Sequence, residues 1–325
     1  MILSKPGFIK IYGHRGARGV LPENTLESFK YLFENNIRAY ETDILISKDN
    51  IPVITHDFKL DPSYTKDVNG NWIEDENIKI IDLTYEEIFK YDVGTLNKLS
   101  RYGRKFINQK SLDNQKIPKL SDLLKLSSDN DFDDLLINLE IKSTPIEEGL
   151  TPSPEEMVKI VIGEVGRSNL SDKIIYSSFD WRVLREIKER DPKIPRAHLT
   201  SGAKGKIYDK SPWLDFTPLH SEVELPKLIK ALGGSAWHPN YKDVNKEIIE
   251  ISRNEGLPVN VWTVNKEQDM LRMIDYGVDG IMTDYPLKLK ELCNKENINW
   301  LAIYRLLIHT TEKLLVSFTV FHLIQ

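Results

Sequence analysis

Four short stretches of the chain carry residues that could do chemistry together. Gly13-His14-Arg15-Gly16 directly follows a first apolar run, and Glu41-Thr42-Asp43 lies inside a second. His56-Asp57 ends a third, and Asn138-Leu139-Glu140-Ile141-Lys142 overlaps a fourth. Residues two apart on a strand share a face, so Glu41 projects with Asp43, and Glu140 with Lys142. Carboxylates side by side on a strand flanked by Ile44 and Ile46 repel each other unless a proton or cation neutralises them. A hard divalent cation bound through oxygen answers that repulsion. Glu140 can then supply a third carboxylate, with Lys142 beside it as a counter-charge.

Such residues need elements that bring them to one place. Apolar runs of strand length recur at Phe8–Tyr12, Ala39–Ile46, Ile51–Thr55, Leu135–Ile141, Lys173–Tyr176, Arg196–Leu199, Ser235–Trp237, Pro258–Thr263 and Gly280–Met282. Helical patterns lie among them at Thr25–Asn35, Pro154–Arg167, Asp180–Arg190, Lys246–Asn254 and Lys266–Asp275. Short strands apolar on both faces, alternating with amphipathic helices, specify a parallel sheet covered by helices. Ser47–Asn50 is too short for a parallel crossover, so the second and third runs form an antiparallel hairpin. The remaining eight parallel strands make a (β/α)8 TIM barrel with an extra β-hairpin ribbon at the rim. Asn24, with Glu27 three residues on, reads as the cap of the first helix with its capping-box partner.

A length of 325 residues suits such a barrel as one domain. The expected organisation is a barrel over residues 1–299 and an apolar tail over 300–325. Residues 58–118 form a long insertion after His56-Asp57, loop-rich with one short helical piece at Tyr85–Tyr91, and insertions of this length act as lids or decoration. In the tail, Leu301, Tyr304, Ile308, Leu315 and Phe318 recur at near-helical spacing. Arg305, Glu312 and Lys313 interrupt it before the roughly 20 apolar residues a spanning helix needs. It reads as a helix docked on the barrel, ahead of a peripheral membrane contact or an extension without fixed order.

The order of motifs resembles the glycerophosphodiester phosphodiesterase family from Gly13 to about Asp284. The matching stretches are His14-Arg15-Gly16, Pro22-Glu23-Asn24-Thr25, Glu41-x-Asp43, His56-Asp57, Leu139-Glu140-Ile141-Lys142, Ser178-Phe179, Trp262-Thr263-Val264-Asn265 and Thr283-Asp284-Tyr285-Pro286. The resemblance implies a barrel related to phosphatidylinositol-specific phospholipase C that hydrolyses glycerophosphodiesters to an alcohol and glycerol 3-phosphate. It makes Glu41, Asp43 and Glu140 ligands of one divalent cation, Mg2+ or Ca2+. It makes His14 and His56 general acid and base, and Arg15 and Lys142 phosphate contacts. The residue types suit that chemistry. A metal, Arg and Lys mask an anionic diester, and imidazoles move protons near neutrality.

Other residues carry double readings. Trp262, at a strand end, is expected to form a substrate-facing wall rather than plain core; Phe179 has the same two readings. Asp57 is either a further ligand or the Asx turn closing the hairpin. Glu23 starts the helix or supports the site, and Gly16 relieves backbone crowding. His198 and His238 read as core or rim, and Asp284 as the cap of a turn before Pro286.

Composition narrows the field. A net charge of -5 argues against nucleic acid as a partner. The lone Cys293 excludes a disulfide framework and a Cys-based zinc site. Residues Met1 to Lys10 hold no apolar run of signal-peptide length, so the expected location is the cytoplasm. The partner is then a small-molecule glycerophosphodiester. Rival readings are a lysophospholipase D-like phosphodiesterase on larger lipids and a non-catalytic phosphate-binding barrel.

Overall fold

The apolar runs become nine strands: β1 Lys10–His14, β2 Ala39–Ile46, β3 Pro52–Ile54, β4 Leu136–Ile141, β5 Ile174–Ser178, β6 Arg196–Thr200, β7 Ala236–Pro239, β8 Asn260–Val261 and β9 Gly280–Thr283. The computed structural model describes residues 7–130, 132–202 and 205–300. Eight strands are parallel, in the order β7-β6-β5-β4-β2-β1-β9-β8. Parallel bridges Trp237–Val259 and Asn240–Trp262 bring the two ends together, so the barrel is nearly closed. β3 pairs antiparallel with β2, Ile44 opposite Ile54, as the short connection requires.

Every strand residue is buried, because the sheet is covered on both faces. Tyr12, Ala39, Leu136, Ile175, Ala197, Ala236 and Met282 fill the interior. Alternation then carries the interior face from Ala39 to Glu41 and Asp43, and from Leu136 to Asn138 and Glu140.

Helices follow the strands around the ring. Leu26–Glu34, Pro154–Val165, Trp181–Arg190, Lys246–Asn254 and Glu267–Tyr276 stand where the apolar spacing places them. Leu120–Asp129, Leu225–Ala231 and Pro286–Lys295 complete the set without having been expected. Pro226 and Pro286 sit in the first turn of their helices. Proline is tolerated there because that N–H has no intrahelical partner, yet in sequence it reads as a breaker. The cap of Leu26–Glu34 is Thr25, whose side chain accepts from the Ser28 N–H, and not Asn24. Asn24 takes a positive φ of 55° and turns its amide elsewhere.

Residues 58–118 have a core of their own. Leu60, Tyr64, Ile73, Ile80, Ile88, Val93 and Phe106 pack with Leu45 and Val53 of the hairpin. Besides Tyr85–Ile88 they hold a helix at Arg101–Lys105 and a 3-10 turn at Ile80–Asp82. Trp300, expected in the tail, belongs to the barrel: it bridges Ile9, is buried, and donates from its indole to Asn294. The expected tail helix otherwise falls on residues 301–325, outside the described residues. Among the described residues no helix is long and apolar enough to cross a membrane.

Candidate active site

Strand register sets the site. His14 ends β1 opposite Glu41 of β2, and Asp43 of β2 stands opposite Glu140 of β4. One oxygen from each of Glu41, Asp43 and Glu140 lies within 4.8 Å of the others, and all three residues are buried. Thr55 N–H bonds the Asp43 carbonyl at 3.1 Å, which brings His56 to the same end. That is the carboxyl end of the strands, where barrel active sites lie.

Three carboxylates face two nearby cations. Lys142 Nζ lies 2.8 Å from Glu140 and 3.6 Å from Asp43. Arg15 Nε lies 3.2 Å from Asp43, while its Nη1 meets Glu23 at 2.7 Å. Burial favours a proton on Asp43, but the charges of Arg15, His56 and Lys142 outweigh it and hold the carboxyl well below its usual range. Burial also works against the Lys142 ammonium, and Glu140 and Asp43 overcome it. Two cations do not offset three carboxylates: burial, Asp43 and Glu140 push the Glu41 pKa well above the ordinary value, over the opposing pull of Arg15, whose backbone N–H donates to Glu41 Oε2 at 3.0 Å. Glu41 Oε1 and Asp43 Oδ1 are buried without a hydrogen-bond partner. Orphaned oxygens and a surplus negative charge suit a hard cation bound through oxygen. These residues fit the divalent ion that the sequence led us to expect.

Each histidine is anchored through Nδ1 by an aspartate. Asp284 Oδ1 lies 2.7 Å from His14 Nδ1, and Asp57 Oδ1 lies 2.6 Å from His56 Nδ1. A carboxylate can only accept, so Nδ1 carries the hydrogen in both rings. For His14 this turns Nε2 towards Thr263 Oγ1 at 3.5 Å and Glu41 at 3.8 Å. Burial and then the Arg18 charge lower the His14 pKa to about 4, against the pull of Asp284, so the ring is neutral near pH 7. Asp284 accepts from Arg18 Nε and Nη2 at 2.8 and 3.0 Å and from Asn265 Nδ2 at 2.6 Å. Burial would raise its pKa, but Arg18 and the His14 hydrogen bond hold it well below the usual range. The expected turn cap is therefore a buried charge at the centre of four hydrogen bonds.

The insertion reaches the site as well. Tyr64 donates to Asp57 at 2.7 Å, and the Tyr102 hydroxyl donates to Glu23, the partner of Arg15. Phe106 packs under the Arg18 guanidinium, 5.0 Å from its ring centroid. Asn24 donates to Asp43 and accepts from Thr42, each at 3.0 Å. Gly16, at φ 80°, leaves no room for a Cβ, which would meet Ser28 Oγ at 2.4 Å. Trp262 packs edge-on against Phe179 at 5.3 Å, and both line a cavity of about 580 Å³ with His14, Arg15, Glu41, His56 and Glu140. That size suits a small ligand.

The sequence model of the glycerophosphoryl diester phosphodiesterase family matches residues 14–288. The chain belongs to this family. It is 32% identical over 285 residues to the glycerophosphodiester phosphodiesterase of Caldanaerobacter subterraneus subsp. tengcongensis, covering 88% of this chain and 98% of that protein. Among solved structures, a putative glycerophosphoryl diester phosphodiesterase from Silicibacter pomeroyi superposes with a TM-score of 0.84 at 34% identity, covering 92% of this chain and 98% of that one. An Oleispira antarctica phosphodiesterase, solved with the product sn-glycerol-3-phosphate, shares the fold at 24% identity with a TM-score of 0.66, covering 88% and 97%. The chain is thus an enzyme of the phosphoric diester hydrolase class on a family barrel.

Within this family barrel, the residues singled out by sequence fall at one end. His14, Arg15, Glu41, His56, Glu140 and Trp262 line the cavity, with Asp43 and Lys142 directly beside them. Asp57 stands as the anchor of His56 and Glu23 as the anchor of Arg15. His198 and His238 are buried away from the carboxylates, His198 edge-on to Trp181 and His238 against Asn260. Sequence reasoning missed Arg18, Asn24, Tyr64 and Tyr102 as neighbours of the site, and Lys105 of the insertion, which also lines the cavity. Only Asn24 carried a signal, through Pro22-Glu23-Asn24-Thr25.

Proposed function

We propose that the chain hydrolyses glycerophosphodiesters to an alcohol and glycerol 3-phosphate, with Glu41, Asp43 and Glu140 holding one divalent cation. The observation that carries this reading is the buried carboxylate cluster, short of positive charge, set beside two aspartate-anchored histidines in one cavity. The product bound to the Oleispira relative supports the glycerol 3-phosphate half of the assignment. A bound divalent cation would mask the phosphate's charge as a Lewis acid.

The chain's own residues do the rest. Neutral His14, its Nδ1–H committed to Asp284, offers the Nε2 lone pair as the proton acceptor. His56, with Nδ1 held by Asp57, supplies from Nε2 the proton that the departing alkoxide needs. Lys142 and Arg15 add fixed positive charge beside the anionic diester and hold the carboxylates in place. Trp262 and Phe179 form an apolar wall against the glycerol carbons. The test is product analysis with glycerophosphodiesters, with and without a chelator. Glycerol 3-phosphate and free alcohol should appear, and chelation should stop the reaction. Turnover insensitive to chelation, or release of a phosphorylated alcohol with free glycerol, would contradict the proposal.

A further inference from the structure

Outside the carboxylate cluster the cavity carries charge of one sign. Among its lining residues the carboxylates are Glu41 and Glu140, whereas Arg18, Lys105, Lys242 and Lys266 line it too. Lys105 comes from the insertion, Lys242 from the loop after β7 and Lys266 from the loop after β8, and all three are exposed. None of the three makes an ion pair among the described residues. Acids in the adjoining helix are engaged elsewhere, Glu267 with Lys288 at 3.4 Å and Asp269 with Arg272 at 2.8 Å. Three lysines brought from separate segments to one rim, none of them in an ion pair with a carboxylate, focus a positive field on the entrance.

A second observation concerns the aromatic side. Lys206 Nζ lies 4.1 Å from the Phe179 ring centroid and 3.4 Å from that of Trp213. Two aromatic rings at this spacing are what would recognise a quaternary ammonium. Here the chain's own ammonium fills them, in a small pocket shared with Glu140 and Lys142. A cationic alcohol entering the cavity would face the rim lysines and find the Phe179 ring already occupied by the Lys206 ammonium.

Resting on the phosphodiesterase reading above, we propose that the alcohol portion of the preferred substrate carries a second anionic group, a further phosphate. Lysine suits this role, because a mobile point charge meets a phosphate without demanding one geometry. Overall one water is consumed: the bond from phosphorus to the alcohol oxygen breaks, the phosphorus ends with water's hydroxyl as glycerol 3-phosphate, and the alcohol leaves protonated with its own phosphate unchanged.

The test compares kcat/KM at low ionic strength for bis(glycerophospho)glycerol, glycerophosphoglycerol and glycerophosphocholine. The doubly anionic probe should exceed glycerophosphocholine by about tenfold or more, beyond the factor of about two for its equivalent bonds. Added salt should shrink the advantage. In the Lys105→Gln/Lys242→Gln/Lys266→Gln triple variant the ratio of doubly anionic to neutral probe should fall about tenfold. Glycerophosphocholine hydrolysed as well as the doubly anionic probe, or a preference undiminished in the triple variant, would overturn the inference while leaving the enzyme reading intact. If none of the three diesters is cleaved, the reading of the site falls, and the inference with it.

Discussion

Replacing Asp284 by Asn keeps the side chain's size and removes its charge. Asp284 Oδ1 receives hydrogen bonds from His14 Nδ1 and Arg18 Nε, and Oδ2 receives them from Arg18 Nη2 and Asn265 Nδ2. Whichever way an amide is turned, its NH2 group faces two donors, so two of the four bonds are lost. A hydrogen bond to a charged group contributes about 1.5–3 kcal/mol. If that support is felt most when His14 carries the extra proton, kcat should fall roughly 10- to 100-fold. The buried Arg18 guanidinium also loses its counter-charge, which costs about 3–5 kcal/mol of stability. The assay is glycerol 3-phosphate release, giving kcat and KM separately, on protein whose folded fraction is fixed by urea unfolding. A variant with kcat within about threefold of wild type and undiminished unfolding free energy would refute the argument that Asp284 orients His14.

Three further outcomes follow from the geometry. His14→Ala and His56→Ala should each lower kcat by roughly 10²-fold or more with smaller effects on KM. A leaving group of low pKa should rescue His56→Ala alone, and rescue of His14→Ala instead would exchange the two roles. Trp262→Ala should raise KM more than it lowers kcat, because an apolar wall binds ground and transition states alike; a large loss of stability at unchanged KM would make it core. Cys293 is fully buried and its thiol is pushed up to about 11 by burial. It should not react with a thiol reagent until the protein unfolds, and rapid labelling of native protein would show that its helix opens readily.

The parts of the site carried by periodicity were legible. Glu41 with Asp43 and Glu140 with Lys142 follow from a two-residue repeat on buried strands, and the hairpin follows from a connection too short to cross over. What sequence could not supply was contact across the ring. Asp284 stands next to His14 only because β9 closes against β1, Thr283 opposite Gly13, 270 residues away along the chain. Read locally, an Asp before Tyr-Pro is a turn residue. Asn24 misled for a related reason: Asn is a good cap, and here the positive φ it tolerates serves to aim its amide at Asp43 instead. Tyr64 and Tyr102 lie in the insertion, where no repeat marks which side chains turn inwards. Their positions follow from a separate small core packed on the hairpin.

Metal binding by the carboxylate cluster is the central claim, and direct titration tests it most closely. Mg2+ and Ca2+ binding should be measured by calorimetry on the wild-type chain and on Glu140→Gln, alongside kcat on the same preparations. The account predicts saturable binding of about one ion per wild-type chain. Affinity should weaken as pH falls, because a proton on Glu41, whose pKa burial and its carboxylate neighbours raise, competes with the metal. Glu140→Gln should lose at least about 100-fold in affinity and lose activity in parallel. A folded Glu140→Gln variant that keeps both wild-type affinity and wild-type kcat would contradict the account.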